Sequence, residues 1–399
     1  MALDHQCTRC GRRIGYEGLC WICKEEAERQ QVLDWTDAEI EEKIRHLISH
    51  AEKLNDWKTE EYKTACKLID LRGVWRPELQ RAALAADAFA LHKLYYHAPS
   101  DVRDGLIEKL EHTEDAGTAS RLMQCLAMQG DDAALSCLHE LERHPKPWRK
   151  KLYVDPSVYA QVGGWTFDSD GKRRMLNFEQ CYPLVSRSSV LKTSDEAAEN
   201  SGAGETGSGA EQMQTDEDAE PCGKRSPVHI AYPRKDNCPV CGGRMMDMLT
   251  VDGRDGRLAF LGVDGIVTAA CCPNCIVFME HSFSRYTPDG QSTPIPYTLP
   301  VGEDFIGEEG RELLARNDYV LADQPVPPFF ETESDYVNTI GGFASWVQEA
   351  QYVKCPDCGK PMKYLAQIHW MLLNDSYEGT LYVEFCPDCQ VASIHHQQT

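Results

Sequence analysis

Six C-x-x-C pairs constrain this chain more than any other feature. They are Cys7 and Cys10, Cys20 and Cys23, Cys238 and Cys241, Cys272 and Cys275, Cys355 and Cys358, and Cys386 and Cys389. Two thiols three positions apart on a tight turn point at one centre. Two such knuckles supply the four sulfurs that a tetrahedral zinc ion takes. Pairing each knuckle with its nearest neighbour gives three closed sites. The second and third of these share an eight-residue word, C-P-x-C-G-x-x-M, at 238–245 and 355–362. Their first knuckles lie 117 positions apart (238 to 355). Their second knuckles, CPNC and CPDC, lie 114 apart (272 to 386). In the shared word Pro restricts φ and Gly tolerates the positive φ of a tight turn. The layout is that of a duplicated zinc ribbon, with knuckles at the ends of β-hairpins. Pairing within each unit is expected, and a swapped arrangement taking one knuckle from each unit would use the same residues. Cys271 offers a second sulfur beside Cys272, and the match of CPNC to CPDC favours Cys272.

Four thiolates leave no coordination position open for water, which catalytic zinc needs. Three structural zinc ions are therefore the expected cofactors. No HExxH motif, zinc-deaminase signature, P-loop or nucleophile elbow occurs. Six pairs that sort into three quartets also argue against a thioredoxin-like redox motif. Catalytic residues are expected to be absent. The remaining thiols, Cys66, Cys125, Cys137, Cys181, Cys222 and Cys271, read as ordinary buried or exposed cysteines. His395 and His396 read as surface residues of a polar tail.

Eighteen cysteines arranged for metal suit a reducing compartment. The opening residues, MALDHQCTRC, hold no apolar stretch of a secretion signal, and no run of apolar residues reaches membrane-spanning length. A cytoplasmic location is expected. The net charge of −22 disfavours a general nucleic-acid partner and suits a basic protein.

A chain of 399 residues exceeds one ordinary core. The expected fold class is multidomain α+β. Residues 1–31 form a zinc module too small to bury a core without metal. Residues 36–150 are all-α, opened by a capping box at Thr36 and Glu39. Their expected helices are TDAEIEEKIRHLISHAEKL, TEEYKTACKLIDL, PELQRAALAADAFALHKLYY, SDVRDGLIEKLEH, AGTASRLMQCLAMQ and DDAALSCLHELERH. Residues 151–399 are β-rich, with a hairpin turn at Asp170 and Gly171. LAFLGVDGIVTAACC and GTLYVEFC run as β text into cysteine pairs. An insertion at 191–222 is expected to be disordered, since 194–220 holds nine acidic and no basic residues. VGGW (162–165) and IGGF (340–343) echo each other. A Gly pair before an aromatic serves as a tight turn or as a close backbone approach to a ligand.

The helical region resembles HEAT-like repeats in the GDDAALSCLHELERH unit, with a compact bundle as the other reading. The C-terminal region resembles the YwqG-like family. The resemblance rests on I-G-G-F (Ile340–Phe343), W-V-Q (Trp346–Gln348), C-P-x-C-G-x-x-M, and a strand running into the second knuckle. It is good over roughly 330–399 and fainter over about 153–300. It implies a β-rich α+β domain with internally related halves and brings no catalytic residue to carry over. Some members are associated with toxin and immunity gene sets, which implies protein binding. The function expected is that of a non-catalytic, zinc-stabilised protein-binding protein, in its most concrete form an immunity protein against a basic toxin. A nucleic-acid- or ribosome-binding zinc ribbon is the second reading, resting on Arg9, Arg12, Arg13, Lys146, Arg173, Arg174 and the WRKK stretch. An enzyme whose site is assembled from scattered residues is the third.

Overall fold

A computed structural model of the chain describes residues 5–9, 11, 13–187, 226–300, 302–331, 337–373 and 377–398. Cys10, Arg12, Cys222 and the acidic insertion lie outside the described residues. The chain opens with a small antiparallel pair, β1 (His5–Gln6) and β2 (Arg13–Ile14), followed by α1 (Trp21–Leu33).

Helices fill the next part. Thr36 accepts from the Glu39 backbone N–H while the Glu39 carboxylate accepts from Thr36 N, so the expected capping box opens α2 (Asp37–Ser49). Ile40, Ile44 and Leu47 form its buried stripe. The helix ends at Ser49, earlier than its periodicity suggests, and a 3₁₀ turn (Ala51–Asn55) carries Leu54 into the core. α3 (Glu60–Arg72) stops where Gly73 turns left-handed at φ 61°. α4 (Pro77–Ala85) starts with its proline in the first turn.

The sequence reads as helix from Pro77 through Tyr96, but the helix stops at Ala85. Asn55 is the reason. Its side-chain oxygen accepts from Phe89 N and Ala90 N, and its amide donates to the Asp87 carbonyl. A distant side chain thus takes the hydrogen bonds that a continuing helix would use. α5 (Ser100–His112), α6 (Ala116–Gln129) and α7 (Asp132–Arg143) follow their expected spans. Asp115 and Asp131 cap the last two. Leu47, Leu68, Leu106, Leu122 and Leu138 share one core, which also takes in Trp165, Phe167 and Phe329 from later in the chain.

The hairpin at Asp170 and Gly171 is present, joining β3 (Trp165–Phe167) to β4 (Arg173–Met175). Two antiparallel sheets follow. The smaller has the order β6 (Val228–Asn237), β7 (Arg244–Asp252), β8 (Ile266–Cys271). Of the stretch LAFLGVDGIVTAACC only this last part is strand, and Gly256–Leu261 is a 3₁₀ turn.

The larger sheet has eight strands. In chain order they are β5 (Cys181–Ser186), β9 (Ser282–Tyr286), β10 (Ser292–Pro294), β11 (Tyr319–Leu321), β12 (Thr339–Gly341), β13 (Lys363–His369), β14 (Thr380–Cys386) and β15 (Val391–Gln397). Their spatial order is β10-β9-β15-β14-β13-β12-β5-β11. The sheets pack face to face over Met246, Leu249 and Ala269 on one side and Ile368, Val383, Phe385 and Ile394 on the other. The helix Gly307–Ala315 adds Leu314 to this core. The chain is thus a multidomain α+β protein. No helix among the described residues is long and apolar enough to cross a membrane.

His395 and His396 belong to β15 rather than to a polar tail. His395 is fully buried and clusters with Trp346 and Tyr382, whose rings lie 5.7 and 5.3 Å from its own. Two neighbouring histidines in a polar stretch look like surface, but the outer face of this sheet is itself polar and covered. Glu384, Ser393 and His395 lie on it, and the segment Phe343–Val353 lies over it. That segment is held through Ser345 N to Gln367 (2.9 Å), Val347 N to Tyr382 Oη (3.0 Å) and Val353 N to Glu384 (2.8 Å).

Candidate metal centres

Cys238 and Cys241 sit on the turn between β6 and β7. Cys238 N donates to Gly243 O and Gly242 N to Cys238 O, with Gly242 at φ 74°. Cys355 and Cys358 form the matching turn before β13. Cys355 N donates to Lys360 O and Gly359 N to Cys355 O, with Gly359 at φ 70°. The shared word is therefore one turn built twice. Its eighth letter has a role as well. Met245 packs on Cys238, Cys272 and Cys275, and Met362 packs on Cys355 and Cys386; both methionines are buried.

The four sulfurs of Cys238, Cys241, Cys272 and Cys275 lie within 4.8 Å of one another, as do those of Cys355, Cys358, Cys386 and Cys389. Pairing is within each unit, and the swapped arrangement is not formed. Four thiolates around a tetrahedral ion with bonds of about 2.3 Å would stand roughly 3.8 Å apart. Cys238 and Cys275 are 3.7 Å apart, Cys241 and Cys272 3.5 Å, and Cys358 and Cys386 3.9 Å. A disulfide would hold its sulfurs at about 2.05 Å. The donor set and its spacing fit a tetrathiolate metal ion in each unit.

The N-terminal module brings Cys7, Cys20 and Cys23 together in the same way. Cys20 caps the start of α1, and its N–H reaches the Cys7 sulfur at 3.1 Å. Cys10, the fourth expected ligand, lies outside the described residues. Three cysteine clusters positioned for metal thus match the three expected sites.

Electrostatics says why these clusters need a cation. Burial pushes the Cys275 thiol up to about 12 and Cys272 higher, and neighbouring sulfurs add to both. Burial opposes ionisation of Cys238 too. There Tyr297 Oη at 3.3 Å and backbone N–H groups outweigh it and bring the thiol down to about 7. One thiolate forms readily in such a site, and the others require a positive charge at the centre.

Cys271 is not a member of the second cluster. Its side chain lies in the core between the sheets, while Cys272 faces the other sulfurs. The repeat explains this. Cys271 pairs with Met246 across the ladder, as Phe385 does with Lys363, so Cys271 holds the position of the core residue Phe385. Both ladders also carry a bulge at the same place, between Asp247 and Leu249 and between Tyr364 and Ala366.

One component of the second cluster was not legible in the sequence. Arg311, 1 % exposed, reaches it from the helix Gly307–Ala315. Its guanidinium bonds Asp304 at 2.7 and 3.1 Å and the Arg244 carbonyl at 2.7 Å, and stands 4.0 Å from the Cys272 sulfur. It orients the knuckle and offsets thiolate charge. No local pattern distinguishes this arginine from the others in the chain.

The two Gly-Gly-aromatic echoes meet each other. A Cβ on Gly164 would stand 2.8 Å from the Phe343 ring, and Asn177 donates to Gly342 O at 3.1 Å. Gly164, Gly341 and Gly342 all have positive φ, so these are turns in close contact. Trp346 and Phe343 then wall a cleft of about 780 Å³ between the helical and sheet regions, with Tyr159, Phe329 and Lys93 among its other linings.

Fold and clusters together define a multidomain α+β protein with three cysteine clusters positioned to bind metal ions. Over 398 residues the chain is 24 % identical to the uncharacterized protein YpfL of Salmonella typhimurium (strain LT2), an overlap spanning 95 % of this chain and 85 % of that relative. No protein-family profile matches the chain. No solved structure matches it.

Proposed function

We propose that this is a zinc-stabilised protein-binding protein, with one structural zinc in each of its three cysteine clusters and no catalytic role for any of them. The observation that carries the reading is the closure of the two complete clusters. Each gathers four sulfurs within 4.8 Å, which fills a tetrahedral ion and leaves no position for a reacting water. Zinc is the ion that four thiolates and a purely structural role suit best. The net charge of −22 then selects a basic protein as partner, since complementary charge speeds encounter and suppresses wrong pairs. The YwqG-like resemblance makes the concrete form an immunity protein that neutralises a basic toxin.

The nucleic-acid reading is weaker because several of its cations are already paired. Arg9 bonds Glu26 at 3.1 Å, Arg149 bonds Asp155, and Arg173 lies 3.4 Å from Asp132. The test is co-expression with toxins encoded beside the gene. Rescue of growth and a one-to-one complex that weakens with salt are expected. A failure of every neighbouring toxin to form a complex or to be rescued would contradict the toxin assignment.

A further inference from the structure

The first cysteine unit carries a surface that the second lacks. After Cys275 the chain runs through Ile276, Val277 and Phe278. Ile276 is buried, while Val277 is 38 % and Phe278 50 % exposed. Phe305, 66 % exposed, stands beside Phe278 with ring centroids 6.2 Å apart. The knuckle itself holds Phe305 there. Asn274 of CPNC is buried; it donates to Glu303 O at 2.9 Å and accepts from Phe305 N at 2.9 Å.

Closing four sulfurs does not require this surface. The second unit does so on the same plan, and its knuckles expose Asp357, Lys360, Asp388 and Gln390 and no aromatic. Asp388 stands where Asn274 does, and Gln390 where Ile276 does. Adjoining exposed apolar residues rimmed by polar ones mark interaction surfaces. The rim here is acidic. Residues 273–284 and 296–310 hold Glu280, Glu303, Asp304, Glu308 and Glu309, and no lysine or arginine. Arg311 pairs with Asp304, and Arg244 with Glu308. The other four arginines between 228 and 315, Arg234, Arg254, Arg257 and Arg285, pair with aspartates elsewhere, and Lys235 is the one lysine of that stretch. Glu280, Glu303 and Glu309 are exposed, and among the described residues no ion pair engages them.

We propose that this flank of the first unit docks a basic segment of another protein, an apolar side chain seated on Val277, Phe278 and Phe305 and its neighbouring lysines or arginines on Glu280, Glu303 and Glu309. Aromatic rings offer a large contact area with few rotors to immobilise, as the anchors of interfaces do. The acidic rim selects a basic partner and disfavours a second copy of this chain, whose net charge is −22. An anionic membrane is disfavoured in the same way. The inference rests on the proposed binding of a basic protein and names the face that meets it.

The test is fluorescence anisotropy of a labelled peptide, with leucine and phenylalanine at its centre and lysines at both ends, titrated with the full-length, metal-loaded protein. Two control peptides keep the apolar centre between glutamates, or the lysines around alanines. The first peptide is expected to bind about tenfold tighter than either control. Phe278→Ser combined with Phe305→Ser should weaken it about tenfold while metal content and melting temperature hold. Trp57→Ser removes an exposed aromatic elsewhere and should leave the affinity unchanged. Glu280→Lys combined with Glu303→Lys alters no aromatic and should reverse the preference between lysine and glutamate ends. No binding, equal binding of either control, or wild-type affinity in both double variants would overturn the proposal. So would a wild-type dimer that the phenylalanine variant abolishes, since the occupant would then be a second copy. The toxin reading fails separately. A toxin that binds the phenylalanine variant as tightly as wild type removes this face and keeps that reading, whereas peptide binding here without any toxin complex keeps the face alone.

Discussion

The two complete cysteine clusters are built on one plan and fitted to different surroundings. Both keep the turn, the buried methionine, the ladder bulge and the sulfur spacing. They differ at three letters of the shared word, one of them Arg244 against Pro361. Gly243 in the first unit stands where Lys360 stands in the second. A Cβ at Gly243 would lie 2.2 Å from the Arg311 guanidinium, so only the first unit has room for that arginine. Val240 is replaced by Asp357, which pairs on the surface with Arg285 at 2.8 Å. The first unit is therefore braced from inside by a buried ion pair, and the second from outside by an exposed one. The exits differ too. After Cys389 the chain turns at Gln390 (φ 54°), and β15 pairs with β14 at once. After Cys275 it makes a 3₁₀ turn, and β9 pairs with β15 of the other unit instead of with β8. This exchanged strand ties the two units into one body.

The largest expected effect is removal of a ligand. Cys272→Ser should lose one metal ion per chain and unfold the first unit, because structural zinc contributes about 10–16 kcal/mol of apparent binding energy in small modules. Metal content and limited proteolysis check this. Cys271→Ser, one position away, should keep all the metal.

Next comes the brace. Arg311→Ala leaves Asp304 without its partner and should cost about 3–5 kcal/mol, as broken buried pairs do. Arg285→Ala should leave the denaturation midpoint unchanged, as exposed pairs commonly do. Equal effects in the two units would break the comparison. Exchanging the letters sharpens it: Gly243→Lys should destabilise by displacing Arg311, and Lys360→Gly should be tolerated.

The methionines test what the units share. Met245→Ala and Met362→Ala should each cost about 2–5 kcal/mol by opening a cavity against the sulfurs. A large effect in one and none in the other would mean the shared letter has two meanings.

The smallest effect is on pH dependence. Burial lowers the His395 pKa to about 3 in the folded protein, with His281 and His396 adding to the shift. The unfolded chain, with an ordinary value near 6.5, then binds this proton more readily. Stability from this residue is complete above about pH 6.5 and is lost as pH falls from there towards 3. His395→Gln should flatten the stability curve across that window, as urea titrations at pH 5 and pH 7.5 would show.

The cysteine sites were largely legible in the sequence because knuckle spacing is local and metal chemistry is strict. The internal repeat could be read for the same reason, and it settled Cys272 over Cys271 through a ladder position that the word itself does not show. The start of α2 was legible because the capping box of Thr36 and Glu39 is local. What could not be read depends on distant partners. Asn55 ends the fourth helix early from thirty residues away. Arg311 reaches the first unit from a helix beyond the second knuckle. His395 looks polar in text and lies buried, because its sheet face is covered by a segment whose own hydrogen bonds end on that face.

The central claim is that the units are closed zinc centres. Sulfur-sensitive X-ray absorption on the purified protein, combined with metal analysis, tests it most directly. The account predicts three zinc ions per chain, each with four sulfurs at about 2.3 Å and no oxygen neighbour. Fewer than two ions per chain with the cysteines reduced, or an oxygen ligand at the repeated sites, would contradict it.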